Sequence, residues 1–256
     1  MSKEEKPVPE NGKDPKYAKI IIAALSVAAA FVITAVTILS LYFTGALGSV
    51  TKVRKAKEEE AKKQEASTLF TEYQIPSTMP TGWYANFTME YAEKQYVINV
   101  YFLSLYASNT VNNFISYADA GFYNGTVFGA NVSLLAEGKA VCGGYVRNSD
   151  GTIEQKIPKE SASPIKGEFY ENGYELNRLS NVEGMIGMIH SPGRNDDATT
   201  DFYMLSEDAL ELNGKYAAFA KITTKADIDT LKFLVEKAKN GEYVTIKTVK
   251  TYKKTV

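Results

Sequence analysis

One cysteine, one histidine and one tryptophan occur in 256 residues. The lone cysteine, Cys142, forms no intrachain disulfide and builds no cysteine-based zinc cluster. The lone histidine, His190, excludes His-Glu-x-x-His metalloprotease arrangements and every multi-histidine metal site. An excess of one charge is also missing: 29 Lys and Arg against 30 Asp and Glu leave a net charge of −1. No bulk basic field therefore points to nucleic acid. An enzyme built on this inventory uses little of the usual equipment, and neither a metal nor a cofactor is expected. What is present, 45% hydrophobic and 12% aromatic residues, argues against disorder, collagen and a polytopic membrane protein. At about 100–200 residues per domain, the length allows one domain with appendages or two small ones. No internal repeat occurs.

Residues 1–19 are polar, carry Pro7, Pro9 and Pro15, and bury too little to fold, which predicts a disordered tail. From Ile20 to Thr51 there is no charged residue. About 20 apolar residues cross a hydrocarbon core of about 30 Å, so residues 20–44 are expected to form a single-pass transmembrane anchor in the lipid bilayer. A buried core helix would show a polar face, and a signal peptide has a shorter apolar region. Thr44-Gly45-Ala46 resembles a cleavage site, so removal of the anchor stays open. Five lysines precede this stretch and six Lys/Arg follow between Lys52 and Lys63, so charge does not choose the side.

Residues 45–83 read as a charged helical stalk and linker, with opposite charges four apart at Glu58–Lys62 and Glu59–Lys63. A globular domain is expected over 84–246. Tyr96 to Tyr106 is β-branched and aromatic, the texture of a strand. Helical spacing covers Asn109 to Ala120 and Lys225 to Lys239, each followed by a glycine stop. Short apolar segments at Val141–Val146, Met185–Ile189, Asp201–Leu205 and Tyr216–Ile222 complete a mainly β pattern, a closed barrel with helical caps. Lys247, Lys250, Lys253 and Lys254 make 247–256 a basic tail, expected to fray.

Thr110-Val-Asn-Asn-Phe114 followed by Gly121-Phe-Tyr-Asn-Gly-Thr-Val-Phe128 resembles the cyclophilin family of peptidyl-prolyl cis-trans isomerases. Further matches follow in order: Gly143-Gly144, Ile165-Lys-Gly-Glu-Phe169 with Asn172-Gly173, and Gly184-Met-Ile-Gly-Met188. Ala198-Thr-Thr-Asp-Phe-Tyr203 and Leu212-Asn-Gly-Lys-Tyr-Ala-Ala-Phe219 complete the set. The resemblance spans about residues 95–238. It implies an eight-stranded antiparallel β-barrel capped by two α-helices, with the active surface on an outer sheet face, because eight strands leave an interior just filled by side chains.

The implied chemistry needs little machinery. Amide resonance sets a barrier of about 18–20 kcal/mol to rotation about a peptide bond. A cationic donor aimed at the prolyl nitrogen favours the twisted state, which is differential stabilisation without a covalent step. By resemblance the substrate groove takes in Cys142, Met188, His190, Asp201, Phe202, Tyr203, Leu212 and Tyr216. Several depart from the family pattern. The F-H-R-V stretch with the catalytic arginine is matched by Phe128-Gly129-Ala130-Asn131-Val132, which puts Ala130 at the arginine. The glutamine before G-G is Cys142, a poor substitute for a positioned amide. The pocket-floor stretch aligns with Glu137-Gly138-Lys139-Ala140, the aromatic before L-D-G is Glu211, and the histidine of that motif is Tyr216. Arg147, Arg194 and Lys139 are candidate replacement donors.

Two functions follow. The first is a membrane-anchored isomerase domain acting on X-Pro bonds of extracytoplasmic proteins, weak or inactive for want of the arginine. The alternative is a catalytically dead module that binds proline-containing segments or a partner in an envelope complex. A monomer with its C-terminal domain outside the cell membrane is expected. His190, beside an apolar strand, reads as a partly exposed polar residue, and Cys142 as a small buried filler. Asp196, Asp197 and Asp201 lack calcium-loop spacing and read as a solvated loop.

Overall fold

The computed structural model describes residues 15–43, 45–128, 140–156 and 162–255, with the side chains of 15–25, 43, 46–48, 59, 62–67 and 140–142 outside that description. Of the disordered tail expected over 1–19, residues 1–14 lie outside it and 15–19 are helical instead. The stretch 129–139 and the stalk pairs at Lys62 and at Glu59–Lys63 also lie outside it. The chain divides into two compact units, Met1–Glu65 and Ala66–Val256. The first holds α1 (Pro15–Phe43) and most of α2 (Ala46–Leu69). Arg54 pairs with Glu58 one turn on, at 2.9 Å, as a solvated helix allows. Among the described residues no helix is long and apolar enough to cross a membrane.

The second unit is mainly β. It runs β1 (Gly82–Tyr91), β2 (Lys94–Phe102), α3 (Ser108–Asp119), β3 (Thr126–Phe128), β4 (Ala140–Gly143), β5 (Tyr145–Arg147), β6 (Ile153–Gln155), β7 (Met185–Met188), β8 (Phe202–Leu205), β9 (Ala217–Ile222), α4 (Lys225–Lys239) and β10 (Val244–Lys254). The strands form one antiparallel sheet in the order β4-β8-β7-β9-β2-β1-β10-β3-β5-β6. That is ten described strands where eight were expected. Two features account for the excess: Gly144, at φ +100°, separates β4 from β5, and the turn at Asn148–Thr152 returns the chain as β6. β4 and β5, neighbours in sequence, therefore lie towards opposite ends of the strand order and the sheet curls.

Alternation explains what the curl encloses. Ala85, Phe87 and Met89 of β1 face inward with Ile98, Val100 and Phe102 of β2. Val111, Phe114, Ile115 and Ala118 present the apolar stripe of α3 to this core, and Leu231, Leu234 and Val235 that of α4. The strand β10 runs through 247–254, so the basic stretch expected to fray is hydrogen-bonded along β1 instead. Its inward positions shift from Val244 and Ile246 to Val249, because Lys247 is the extra residue of a bulge opposite Thr88 and Met89.

Candidate functional site

β7 and β8 pair so that Gly187 lies opposite Tyr203 and Met188 opposite Phe202, while Cys142 and Gly143 of β4 flank the same two residues from the other side. Successive residues of a strand face opposite ways, and here this splits the expected groove in two. Phe202 points inward, fully buried, with its ring 5.3 Å from Phe114 and 5.4 Å from Tyr123. Met188 is buried in the same core. Neither lines an outer groove, which corrects the expectation for both. A side chain at Gly143 would start 2.2 Å from the Phe202 ring, so close approach is what requires glycine there.

Tyr203, itself only 1% exposed, belongs to a second buried cluster with Tyr145, Ile189 and Leu212. Its hydroxyl donates to Asn181 Oδ1 at 2.5 Å, and its ring meets Tyr216 edge-on, with centroids 6.0 Å apart. Leu212 is buried and Tyr216 half-buried, and that burial raises the Tyr216 phenol above its ordinary pKa. The structure thus brings Tyr203, Leu212 and Tyr216 into one cluster, of which only Tyr216 is partly exposed.

His190 sits beside them, but only 7% exposed, not partly exposed as expected. Its ring is stacked between Phe169, at 5.0 Å, and Tyr216, at 4.6 Å. Nδ1 lies 2.9 Å from the Ser191 carbonyl and Nε2 2.7 Å from that of Lys215, so both ring nitrogens are engaged by the backbone. A cavity of about 10 Å³ between Phe169, Met188, His190 and Ala217 offers at most the space of one water.

Asp201 is 2% exposed and belongs to no solvated loop. Oδ2 accepts from the Tyr145 hydroxyl at 3.3 Å and from the Gln155 amide, and Oδ1 accepts from the Thr200 hydroxyl at 3.1 Å. A carboxylate so placed accepts and does not donate. Asp196 and Asp197 are held on backbone N–H groups, of Gly167 at 3.0 Å and Ser191 at 2.8 Å. Among the described residues, no group of three or more His, Cys, Asp and Glu could hold a metal ion.

The remaining candidates fall elsewhere. Ala130, Glu137-Gly138-Lys139 and the Cys142 side chain lie outside the described residues, though the Cys142 backbone pairs with Tyr203. The Arg147 guanidinium rests 3.6 Å over the Tyr243 ring. Arg194 is exposed in a turn closed by its N–H to the Ser191 carbonyl. Sequence reasoning missed Phe169, Tyr145, Gln155 and Asn181, which pack or bind the site residues. Phe169 alone carried a signal, as the last residue of the Ile165-Lys-Gly-Glu-Phe169 match.

Comparison with known proteins bears on the family and the fold. The family model for cyclophilin type peptidyl-prolyl cis-trans isomerase/CLD matches residues 87–254, from within β1 to the end of β10. Peptidyl-prolyl cis-trans isomerase A of Dickeya dadantii (strain 3937) is 27% identical over 142 residues, 54% of this chain and 66% of that protein. Peptidyl-prolyl cis-trans isomerase B of Escherichia coli (strain K12) is 29% identical over 131 residues, 48% and 69% respectively. The chain thus spans about two thirds of the length of these relatives. The fold is that of a cyclophilin type peptidyl-prolyl cis-trans isomerase of Cryptosporidium parvum, with TM-score 0.50 at 16% identity over 68% of this chain and 99% of that one. A match across nearly the whole sheet and both of its helices places this chain in the cyclophilin-type peptidyl-prolyl cis-trans isomerase family.

Proposed function

We propose that the chain is a membrane-tethered cyclophilin-type domain that keeps a face for proline-containing segments and has lost most of its catalytic power on X-Pro bonds. The observation that carries this reading is the gathering of Tyr203, Leu212 and Tyr216 in one cluster beside Asp201, with Tyr216 its partly exposed member. The aromatic and aliphatic members offer an apolar seat for a proline ring. Asp201 stands where the family has an amide, and its oxygens are already taken by Tyr145, Gln155 and Thr200. It adds no donor, and the alignment puts Ala130 where the arginine would be. The charge-free stretch Ile20–Thr51 supports anchoring in a bilayer, with the domain on the extracytoplasmic side of the cell membrane.

The second reading is a binding module of an envelope complex that holds its partner by the same face without turning it over. The saturated Asp201 favours it. Titrating the chain with the peptide Ala-Ala-Pro-Phe while following backbone amide resonances tests both readings at once. Shifts confined to Tyr203, Leu212, Tyr216 and their neighbours are expected, and no shift at those positions up to millimolar peptide removes the proline-binding face. Protease added to intact cells should digest the domain, and full protection would put it in the cytoplasm.

A further inference from the structure

The family match begins at residue 87, whereas the compact unit begins at Ala66. The residues between are built into the domain. The N–H of Thr71 donates to the Arg178 carbonyl at 2.8 Å, and its own carbonyl accepts from Ser180 at 2.9 Å, a parallel bridge to Leu179. Glu72 lies 3.8 Å from Nζ of the buried Lys221, and Tyr73 stacks on Tyr101. Residues 72–75 border a cavity of about 310 Å³, so the tight contact of this segment is made earlier, at Phe70.

Phe70 is 9% exposed and packs on Gly214, where an added Cβ would come within 2.8 Å of its Cζ. Gly214 adopts φ +75° in the loop 210–216, the loop that carries Leu212 and Tyr216. The loop is also held by Glu171 N–H to the Gly214 carbonyl at 2.8 Å, by Asn181 N–H to Asn213 Oδ1 at 2.7 Å, and by His190 Nε2, 2.7 Å from the Lys215 carbonyl. Its ends are held by the buried Leu212 and by the Tyr216 ring stacked on His190. Phe70 is itself fixed. Its ring meets Tyr170 edge-on at 5.8 Å, and the Arg178 guanidinium covers Tyr170 at 4.7 Å while the Arg178 carbonyl holds Thr71.

We propose that Phe70 is a positioning residue for the proline-binding face, setting the 210–216 loop from behind and with it Leu212 and Tyr216. The inference rests on the reading that those side chains seat proline. Leu212 and Tyr216 anchor the two ends of the loop, and Phe70 is the aromatic packed on the glycine between them, so its bulk limits local opening at Asn213 to Lys215.

Amide hydrogen exchange and peptide titration on the full chain test it, with Phe70→Ala and the milder Phe70→Leu. Phe70→Ala should speed exchange at Asn213 and Lys215 about tenfold or more while β1 amides change little, and should weaken Ala-Ala-Pro-Phe binding about three- to tenfold. Phe70→Leu, which keeps apolar bulk against Gly214, should fall between it and the parent. Unchanged exchange at Asn213 and Lys215, or an equal rise at β1, would overturn the inference. Faster exchange at the loop with no peptide binding in parent or variant would overturn the functional reading and leave Phe70 as the residue that sets the loop.

Discussion

Glu168 Oε2 accepts both the backbone N–H and the hydroxyl of Thr110, each at 2.7 Å, and Oε1 accepts the N–H of Asn109 at 3.1 Å. α3 starts after Ala107, whose side chain caps nothing, so a carboxylate 58 residues away takes the capping role. Its negative charge also suits the positive end of the helix dipole. Hydrogen bonds to a charged group contribute about 1.5–3 kcal/mol, so Glu168→Ala should cost about 2–3 kcal/mol by urea denaturation, and Glu168→Gln less. A loss under about 0.5 kcal/mol for the alanine variant would mean that water replaces the cap.

Gly187 and Tyr203 form the second tight pair. A Cβ at Gly187 would lie 2.1 Å from the tyrosine Cζ and hydroxyl, so Gly187→Ala must push the ring away. Overpacking of this kind typically costs about 1–3 kcal/mol. Shortening the ring in Gly187→Ala/Tyr203→Leu should recover part of that loss, a non-additivity visible in a double-mutant cycle. Strict additivity would show that the two residues do not share the space.

The turn joining β1 to β2 uses Ala92 at φ +48° and Glu93 at φ +63°, where left-handed backbone favours Asn and Gly. Each ordinary residue in that region costs about 1–2 kcal/mol, so Ala92→Asn/Glu93→Gly should raise stability by about 1–2 kcal/mol. The urea midpoint reads this directly, and no gain would mean that the side chains hold the turn by other means.

Elements built from local periodicity were legible in the chain, and α4 is the clearest case: the apolar spacing predicted Lys225–Lys239, and the helix has those ends. β10 was not legible, because the bulge at Lys247 breaks the two-residue alternation and leaves a run that reads as a basic tail. The site shows the same limit. Motif matching named Phe202 and Tyr203 together, but the pleat sends them into two different buried clusters. The burial of His190 depends on Phe169 and Tyr216, which come from loops distant in sequence, and no local pattern announces such a stack.

Asp196 should give the acid limb of stability a recognisable component. The Gly167 N–H first, and then the Asn172 amide, hold its carboxyl below the usual aspartate range. A lowered folded-state value means a contribution fully present above the unfolded value, about pH 4, and lost as pH falls through the folded one. The difference in Tm between the parent and Asp196→Asn should be largest near neutral pH and shrink on acidification below about pH 4. A difference constant with pH would deny the carboxylate this role.

Prolyl isomerisation by the intact chain, measured beside an active relative and repeated after Ala130→Arg, bears most directly on the reduced-catalysis reading. Loss of one preorganised donor typically costs 10²–10³ in rate, so the parent should be slower than the relative by roughly that factor. Ala130→Arg should recover part of the difference, because Tyr203, Leu212 and Tyr216 still provide the apolar face. A parent chain that turns over X-Pro bonds as fast as the active relative would contradict it.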